Sequence, residues 1–429
     1  MCDIYNNSYE ELKSYYDDVL NKDKTTYKNS NDEPTPLGCI EEMLDKIPSS
    51  VWKEGVKVFD PCCGNGNFHL YAWNKLKESG LSDKEIVQDS LYFNDINWDR
   101  LANVRKIYGE PINMTMFDFL KYPEEEKYDI VHANPPYAKF TKEGKRASKN
   151  HTMVRDFLSK SLKLLKDNGY LVFIIPDNWM SLADRNKVIE EITENQFIYL
   201  NIHGAKKWFP KIGSSFTWLV LQKKRAKDNY EVDCMYKGKV WNSTVKPGKR
   251  AFIPLLWTDT AQSIFAKTIE KNNEKFIVQT SSDLHKYTKK ENIRTVQDSK
   301  FKYKLIHTPK QTVWANRPHK FHNGYKCFIS TTDKYSIFVD NCGMTQSIAF
   351  IRCKDKKQAE NFKKILDHEL YVFLNNVCRW GNFNNIRILQ KFPVPKNEID
   401  IYGSFGITEN EKKFIKQFQN IKNNKLDKV

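Results

Sequence analysis

Apolar residues along the chain gather in short β-type runs at 56–59, 91–93, 114–117 and 128–133, and again at 170–175, 197–202 and 216–221. Between them lie stretches of helical character, from His69 to Leu76 and through Val154, Phe157, Leu158, Leu162 and Leu165. Ile40, Met43, Leu44 and Ile47 share one face of a helix for which Thr35 serves as N-cap and Pro36 opens the first turn. Ser8 and Glu11 stand at capping-box spacing before another helix. This alternation predicts an α/β fold built on a doubly wound sheet. It stops at Lys223-Lys224-Arg225-Ala226-Lys227, beyond which β-type runs are short and aromatics and lysines are scattered. The expected organisation is a polar N-terminal extension over 1–34, a catalytic domain over 35–225, a basic mixed α/β domain over 226–405, and a basic tail or amphipathic helix over 406–429.

Charge divides at nearly the same place. Residues 1–200 carry 26 Lys+Arg against 33 Asp+Glu, whereas 201–429 carry 43 against 20, and the whole chain has a formal net charge of +16. A mildly acidic half joined to a strongly basic one implies a polyanionic partner, for which nucleic acid is the natural candidate. The nine cysteines form no C-x-x-C pair or zinc-type cluster, so they read as reduced thiols and no metal is expected. With no apolar signal or spanning segment, a soluble cytoplasmic protein without a membrane partner is expected.

The chemistry sits where the strands end. Asn134-Pro135-Pro136-Tyr137 closes the run 128–133; two prolines cannot continue a ladder, so the chain leaves the sheet presenting an amide, a proline carbonyl and a ring. Open α/β sheets bind ligands just outside such strand ends. The first strand runs into Asp60-Pro61-Cys62-Cys63-Gly64-Asn65-Gly66-Asn67-Phe68 and then a helix, a strand, glycine turn and helix start that approach a ligand closely. No third glycine completes the dinucleotide fingerprint, and the opening Asp60 suits an amino group better than a pyrophosphate. Asp95 ends the second strand, where ribose hydroxyls are held in nucleotide sites, and Asp118-Phe119 ends the third.

In this order, Asp60-Pro61-Cys62-Cys63-Gly64-Asn65-Gly66, Asp95, Asp118-Phe119 and Asn134-Pro135-Pro136-Tyr137 resemble the motifs of S-adenosylmethionine-dependent amino-methyltransferases, most closely the DNA adenine-N6 enzymes of the gamma group found in type II restriction-modification systems. The resemblance covers roughly residues 30–223 closely. It implies a Rossmann-like methyltransferase sheet with a C-terminal target-recognition domain, and S-adenosyl-L-methionine as cofactor. Carried onto this chain, it assigns Thr35, Pro36, Asp60, Gly64 and Gly66 to the methionine end of the cofactor, Asp95 to its ribose hydroxyls, Asp118 to its adenine amino group with Phe119 flanking that ring, and Pro61, Cys62 and Ile96 to the cofactor site.

Catalysis then falls to Asn134, Pro135, Pro136 and Tyr137. The Asn134 oxygen and Pro135 carbonyl accept the two hydrogens of an exocyclic amine whose lone pair is otherwise delocalised. The target must be flipped out of its duplex, with Tyr137 stacking on one face. Phe209 of Trp208-Phe209-Pro210 matches the aromatic that holds the other face in the family, although a core position suits it nearly as well. Lys139, Lys142, Lys145 and Arg146 form a basic loop directly after the tetrapeptide, and Arg317, Arg379 and Asn382 lie in basic, aromatic-rich segments of the second half. Double-stranded DNA is the expected partner, with a cognate restriction endonuclease acting separately as a possible second one. The tetrapeptide itself specifies a planar amide-type nitrogen, so an RNA adenine or a release-factor glutamine remains an alternative substrate, and a non-catalytic nucleic-acid binder the alternative class.

Overall fold

The computed structural model describes residues 2–23, 33–137, 152–183, 188–210, 212, 215–332, 334–379, 381 and 383–420. They form two compact units, Met1–Met180 with Arg185–Phe252, and Ser181–Asp184 with Ile253–Val429.

The first unit is built on a nine-stranded sheet. Its strands are β1 (Val58–Asp60), β2 (Leu91–Asn94), β3 (Met114–Thr115), β4 (Tyr128–Ala133), β5 (Leu165–Pro176), β6 (Asn195–Ile202), β7 (Phe216–Arg225), β8 (Tyr230–Tyr236) and β9 (Lys239–Val245). They lie in the order β3-β2-β1-β4-β5-β7-β6-β8-β9. The first five are mutually parallel, and β7 is wedged antiparallel between β5 and β6. The order reverses between β1 and β4, so the two strands diverge there and open a crevice at their carboxyl ends. Tyr170 to Ile175 reads as an unbroken apolar run because that part of β5 is buried on both faces.

The helices that bear on the site are α1 (Tyr9–Tyr15), α2 (Leu37–Leu44), α3 (Asn67–Glu78), α4 (Trp98–Tyr108) and α5 (Thr152–Leu164). The capping box at Ser8 and Glu11 forms as expected: the Ser8 hydroxyl accepts from the Glu11 N–H and the Glu11 carboxylate from the Ser8 N–H. The α2 cap differs. Pro36 is the N-cap, without a side-chain cap bond, and the helix begins at Leu37. The Thr35 hydroxyl is instead engaged by Asn134. The run 114–117 shrinks to a two-residue strand, with Met116 and Phe117 exposed on the way to Asp118. Asn168-Gly169 is an irregularity inside β5 rather than its start; Asn168 takes φ 66°, and a Cβ on Gly169 would lie 2.9 Å from the Asp129 carbonyl.

The hairpin β8–β9 lies beyond residue 225, where the sequence placed a boundary, yet β8 pairs in parallel with β6. Residues of the N-terminal segment likewise enter the core, Ile4, Leu12, Tyr16 and Leu20 being buried with those of α2, α3 and the sheet. The second unit carries two four-stranded sheets. One holds Gln279–Thr280, Ile348–Arg352, Lys326–Ser330 and Ile337–Asp340; the other holds Ile293–Arg294, Gln311–Ala315, Tyr303–Thr308 and Gly343–Met344. The last helix, Glu409–Asn420, contributes Ile415 and Phe418 to the buried side chains.

Candidate active site

A cleft opens at the carboxyl ends of β1, β2 and β4, the position at which open α/β sheets bind ligands. Asp60, Pro61, Cys62, Gly64, Asp95, Ile96, Asp118, Phe119, Thr35 and Asn134 all line it. The structure thus gathers residues spread over a hundred positions of sequence into one wall. It also brings in Glu33, Pro34, Asn67, Phe68, Arg100, Met153 and Phe157, which the sequence reading did not single out.

The glycine turn is held from several sides. Gly64 N–H donates to Asp95 Oδ2 at 2.9 Å, and Asp95 Oδ1 accepts from the Asn97 N–H at 2.8 Å. Arg100 Nη1 stands 3.9 Å from the same carboxylate. Asp95 therefore fastens the turn to β2. Gly66 sits in the left-handed region at φ 86°, where glycine carries no Cβ penalty. Buried phenols take the carbonyls on either side: Tyr16 Oη donates to Asn65 O and Tyr108 Oη to Gly66 O, both at 2.7 Å.

Asp60 is 1% exposed. Its Oδ1 accepts from the Cys62 N–H at 3.0 Å, whereas among the described residues the neighbour of Oδ2 is His132 Nε2 at 4.0 Å. Behind it runs a buried imidazole pair. The Tyr92 carbonyl can only accept, so His69 Nε2, 2.9 Å away, carries hydrogen; His69 Nδ1 then accepts from His132 Nε2 at 3.0 Å. That leaves His132 Nδ1 without a partner among the described residues. Burial pushes the Asp60 carboxyl well above the usual carboxylate range, and burial drives His132 well down and His69 to about 3. Neither ring offers Asp60 a cation. A buried carboxyl in this state fits a ligand ammonium, which restores a partner to the charged form, and the amino group of S-adenosylmethionine is such a ligand.

Asp118 Oδ1 accepts from the Leu120 N–H, capping a short turn, and its side chain is half-exposed. Phe119 is buried with its ring 4.8 Å from that of Phe157. Ile96 is 72% exposed. At the end of β4, Asn134 Nδ2 donates to Glu33 O and to Thr35 Oγ1, both at 3.1 Å, and Tyr137 Oη donates to Asn134 Oδ1 at 2.7 Å. Phe216 stands 5.8 Å from the Tyr137 ring and 5.3 Å from that of Phe209. Phe209 is 4% exposed, so the core position weighed for it is the one it occupies.

Lys139, Lys142, Lys145, Arg146 and Asn382 lie outside the described residues. Arg317 holds Asp283 with both terminal nitrogens, at 2.9 and 3.2 Å, which commits its guanidinium within the second unit. Arg379 is half-buried. Nearby, Asn384 binds the Ser330 carbonyl and Asn375, so this asparagine-rich stretch is tied into its own unit.

The sheet is doubly wound with β7 inserted antiparallel, and the cleft lies at the carboxyl ends of its parallel strands, where open α/β sheets bind ligands. More particularly, the family model of Eco57I restriction-modification methylases matches residues 62–209. The type II methyltransferase M.VspI of Vibrio sp. (strain 343) is 26% identical over 238 residues, 53% of this chain and 55% of that protein. The type II methyltransferase M.TthHB8I of Thermus thermophilus is 25% identical over 168 residues, 35% of each chain. The chain spans about half or less of the length of these relatives. A DrdV–DNA complex solved by electron cryomicroscopy shares the fold over 96% of this chain and 59% of its own, with a TM-score of 0.54 at 10% identity.

Proposed function

We propose that the chain is an S-adenosylmethionine-dependent DNA methyltransferase acting on the N6 amino group of an adenine extruded from duplex DNA. The observation that carries this reading is the Asn134 amide, fixed through its nitrogen at a strand end beside a carboxyl-lined cleft. The cofactor supplies a methyl group on a sulfonium. Everything else is positioning and charge.

Asn134 Oδ1 and the Pro135 carbonyl accept the two amine hydrogens, which draws the nitrogen toward pyramidal geometry and stabilises the positive charge that develops on it. Tyr137 offers the ring on which a flipped base stacks. Asp60 takes the ammonium of the cofactor, Asp95 its ribose hydroxyls, and Asp118 its adenine amino group. The basic second half, with 43 Lys+Arg over 201–429, supports a polyanionic partner, and the similarity of residues 62–209 to restriction-modification methylases supports DNA over other amines.

The test is transfer of labelled methyl from S-adenosylmethionine to unmodified duplex DNA, followed by nucleoside analysis. The expected product is N6-methyladenine, and Asn134→Ala is expected to slow its formation by at least about 10²–10³-fold, the cost of removing one stabilising dipole from such a site. Label found only in RNA, or only in a release-factor peptide, refutes the assignment.

A further inference from the structure

An asparagine amide can present either its oxygen or its nitrogen to a ligand, and only the oxygen can receive a target amine. Resting on the function proposed above, we propose that the segment Glu33–Thr35 is a positioning element of the target site: it takes both hydrogens of the Asn134 amide, leaving Oδ1 to the target amine, with the Tyr137 hydroxyl as its resting partner.

The hydrogen bonds fix the direction of the amide. The Glu33 carbonyl can only accept, so the Asn134 atom 3.1 Å from it is the nitrogen, and the Thr35 hydroxyl accepts the second hydrogen at the same distance. Turning the amide over would set Oδ1 against a carbonyl oxygen. On its other side Oδ1 accepts from Tyr137 Oη at 2.7 Å, so an incoming amine exchanges one donor for another. Such an exchange moves the Tyr137 hydroxyl off the oxygen.

The segment is itself anchored. Thr35 is buried, its carbonyl accepts from Asn67 Nδ2 at 3.0 Å, and Asn67 is the first residue of α3. Glu33, Pro34 and Thr35 also line the cleft that Asp60 and Asp95 close. One short segment thus joins the helix after the glycine turn, the cofactor wall and the catalytic amide.

The experiment compares the full-length protein with Thr35→Val and Thr35→Ser. In single-turnover methyl transfer at saturating S-adenosylmethionine, Thr35→Val is expected to be about 5- to 20-fold slower, the cost of one lost hydrogen bond, and Thr35→Ser to recover most of that loss. In ¹⁵N-asparagine-labelled protein, the Asn134 side-chain signal, identified by its loss in Asn134→Asp, should show faster exchange of one amide hydrogen in Thr35→Val only. A Thr35→Val protein with wild-type rate and an unchanged Asn134 signal overturns the proposal, as does a Thr35→Ser protein as slow as Thr35→Val. Should the wild type methylate no adenine, the function proposed above falls, and the Asn134 signal alone then decides the positioning role. If Thr35→Val does not fold, Tyr137→Phe replaces it: both amide hydrogens should stay protected when Oδ1 loses its donor, and loss of their protection refutes the arrangement.

Discussion

Gly66 offers the sharpest test of how the glycine turn is built. In Gly66→Ala the new residue must hold φ 86°, which disfavours any side chain with a Cβ by about 1–2 kcal/mol. The Cβ would also meet Tyr108 Cε2 at 2.8 Å and Cζ at 3.4 Å. That ring cannot simply withdraw, since it is fully buried beside Phe93 and its hydroxyl donates to the Gly66 carbonyl. Overpacking of this kind costs about 1–3 kcal/mol, so the expected loss is about 2–5 kcal/mol in urea unfolding followed by tryptophan fluorescence. Gly55→Ala is the control: Gly55 has φ 79° and nothing within 4 Å of the point a Cβ would occupy, so it carries the backbone strain alone. Equal destabilisation of the two variants would refute the claim that Tyr108 clamps the turn.

Three further outcomes follow from the charges. Burial raises the Asp60 carboxyl, so its contribution to stability is complete below the unfolded value near 3.9 and is lost as pH rises through the folded one; Asp60→Asn without cofactor should therefore gain stability over the wild type as pH rises, and should bind S-adenosylmethionine more weakly by calorimetry. His69 has the opposite slope: held at about 3 by burial, it favours the fold above about 6.5 and that stability is lost as pH falls toward 3, so His69→Gln should flatten the acid limb of a denaturation series. Arg317, through its hydrogen bonds, holds Asp283 at about 2; because the guanidinium is 44% exposed, Arg317→Ala should cost only about 0–1 kcal/mol in urea unfolding at pH 7, and the difference should vanish as pH falls through 2.

Much of the sheet was legible because its strands are apolar runs closed by distinctive residues, and the ends of β1, β2 and β4 coincide with Asp60, Asn94-Asp95 and Asn134. What escaped was set by tertiary partners. Thr35 has the composition of a cap, but Asn134 claims its hydroxyl, and the helix starts two residues later. The hairpin β8–β9 has one polar face, and its turn is Lys237-Gly238 with φ 49° and 72°, a weaker signal than Asn-Gly. His69 and His132 were hidden inside apolar segments. The signal was present: a histidine in an otherwise buried run calls for a polar partner, and two such residues in neighbouring elements bond one another.

The grip of Tyr16 on the Asn65 carbonyl, with Asn21 bonded to Asn67, ties the opening residues to the glycine turn beside the cleft. A preparation clipped by protease ahead of residue 24 would keep every motif of the site and still lose two of the bonds that shape its turn. Mass measurement at the amino terminus is thus a prerequisite for interpreting a weakly active sample.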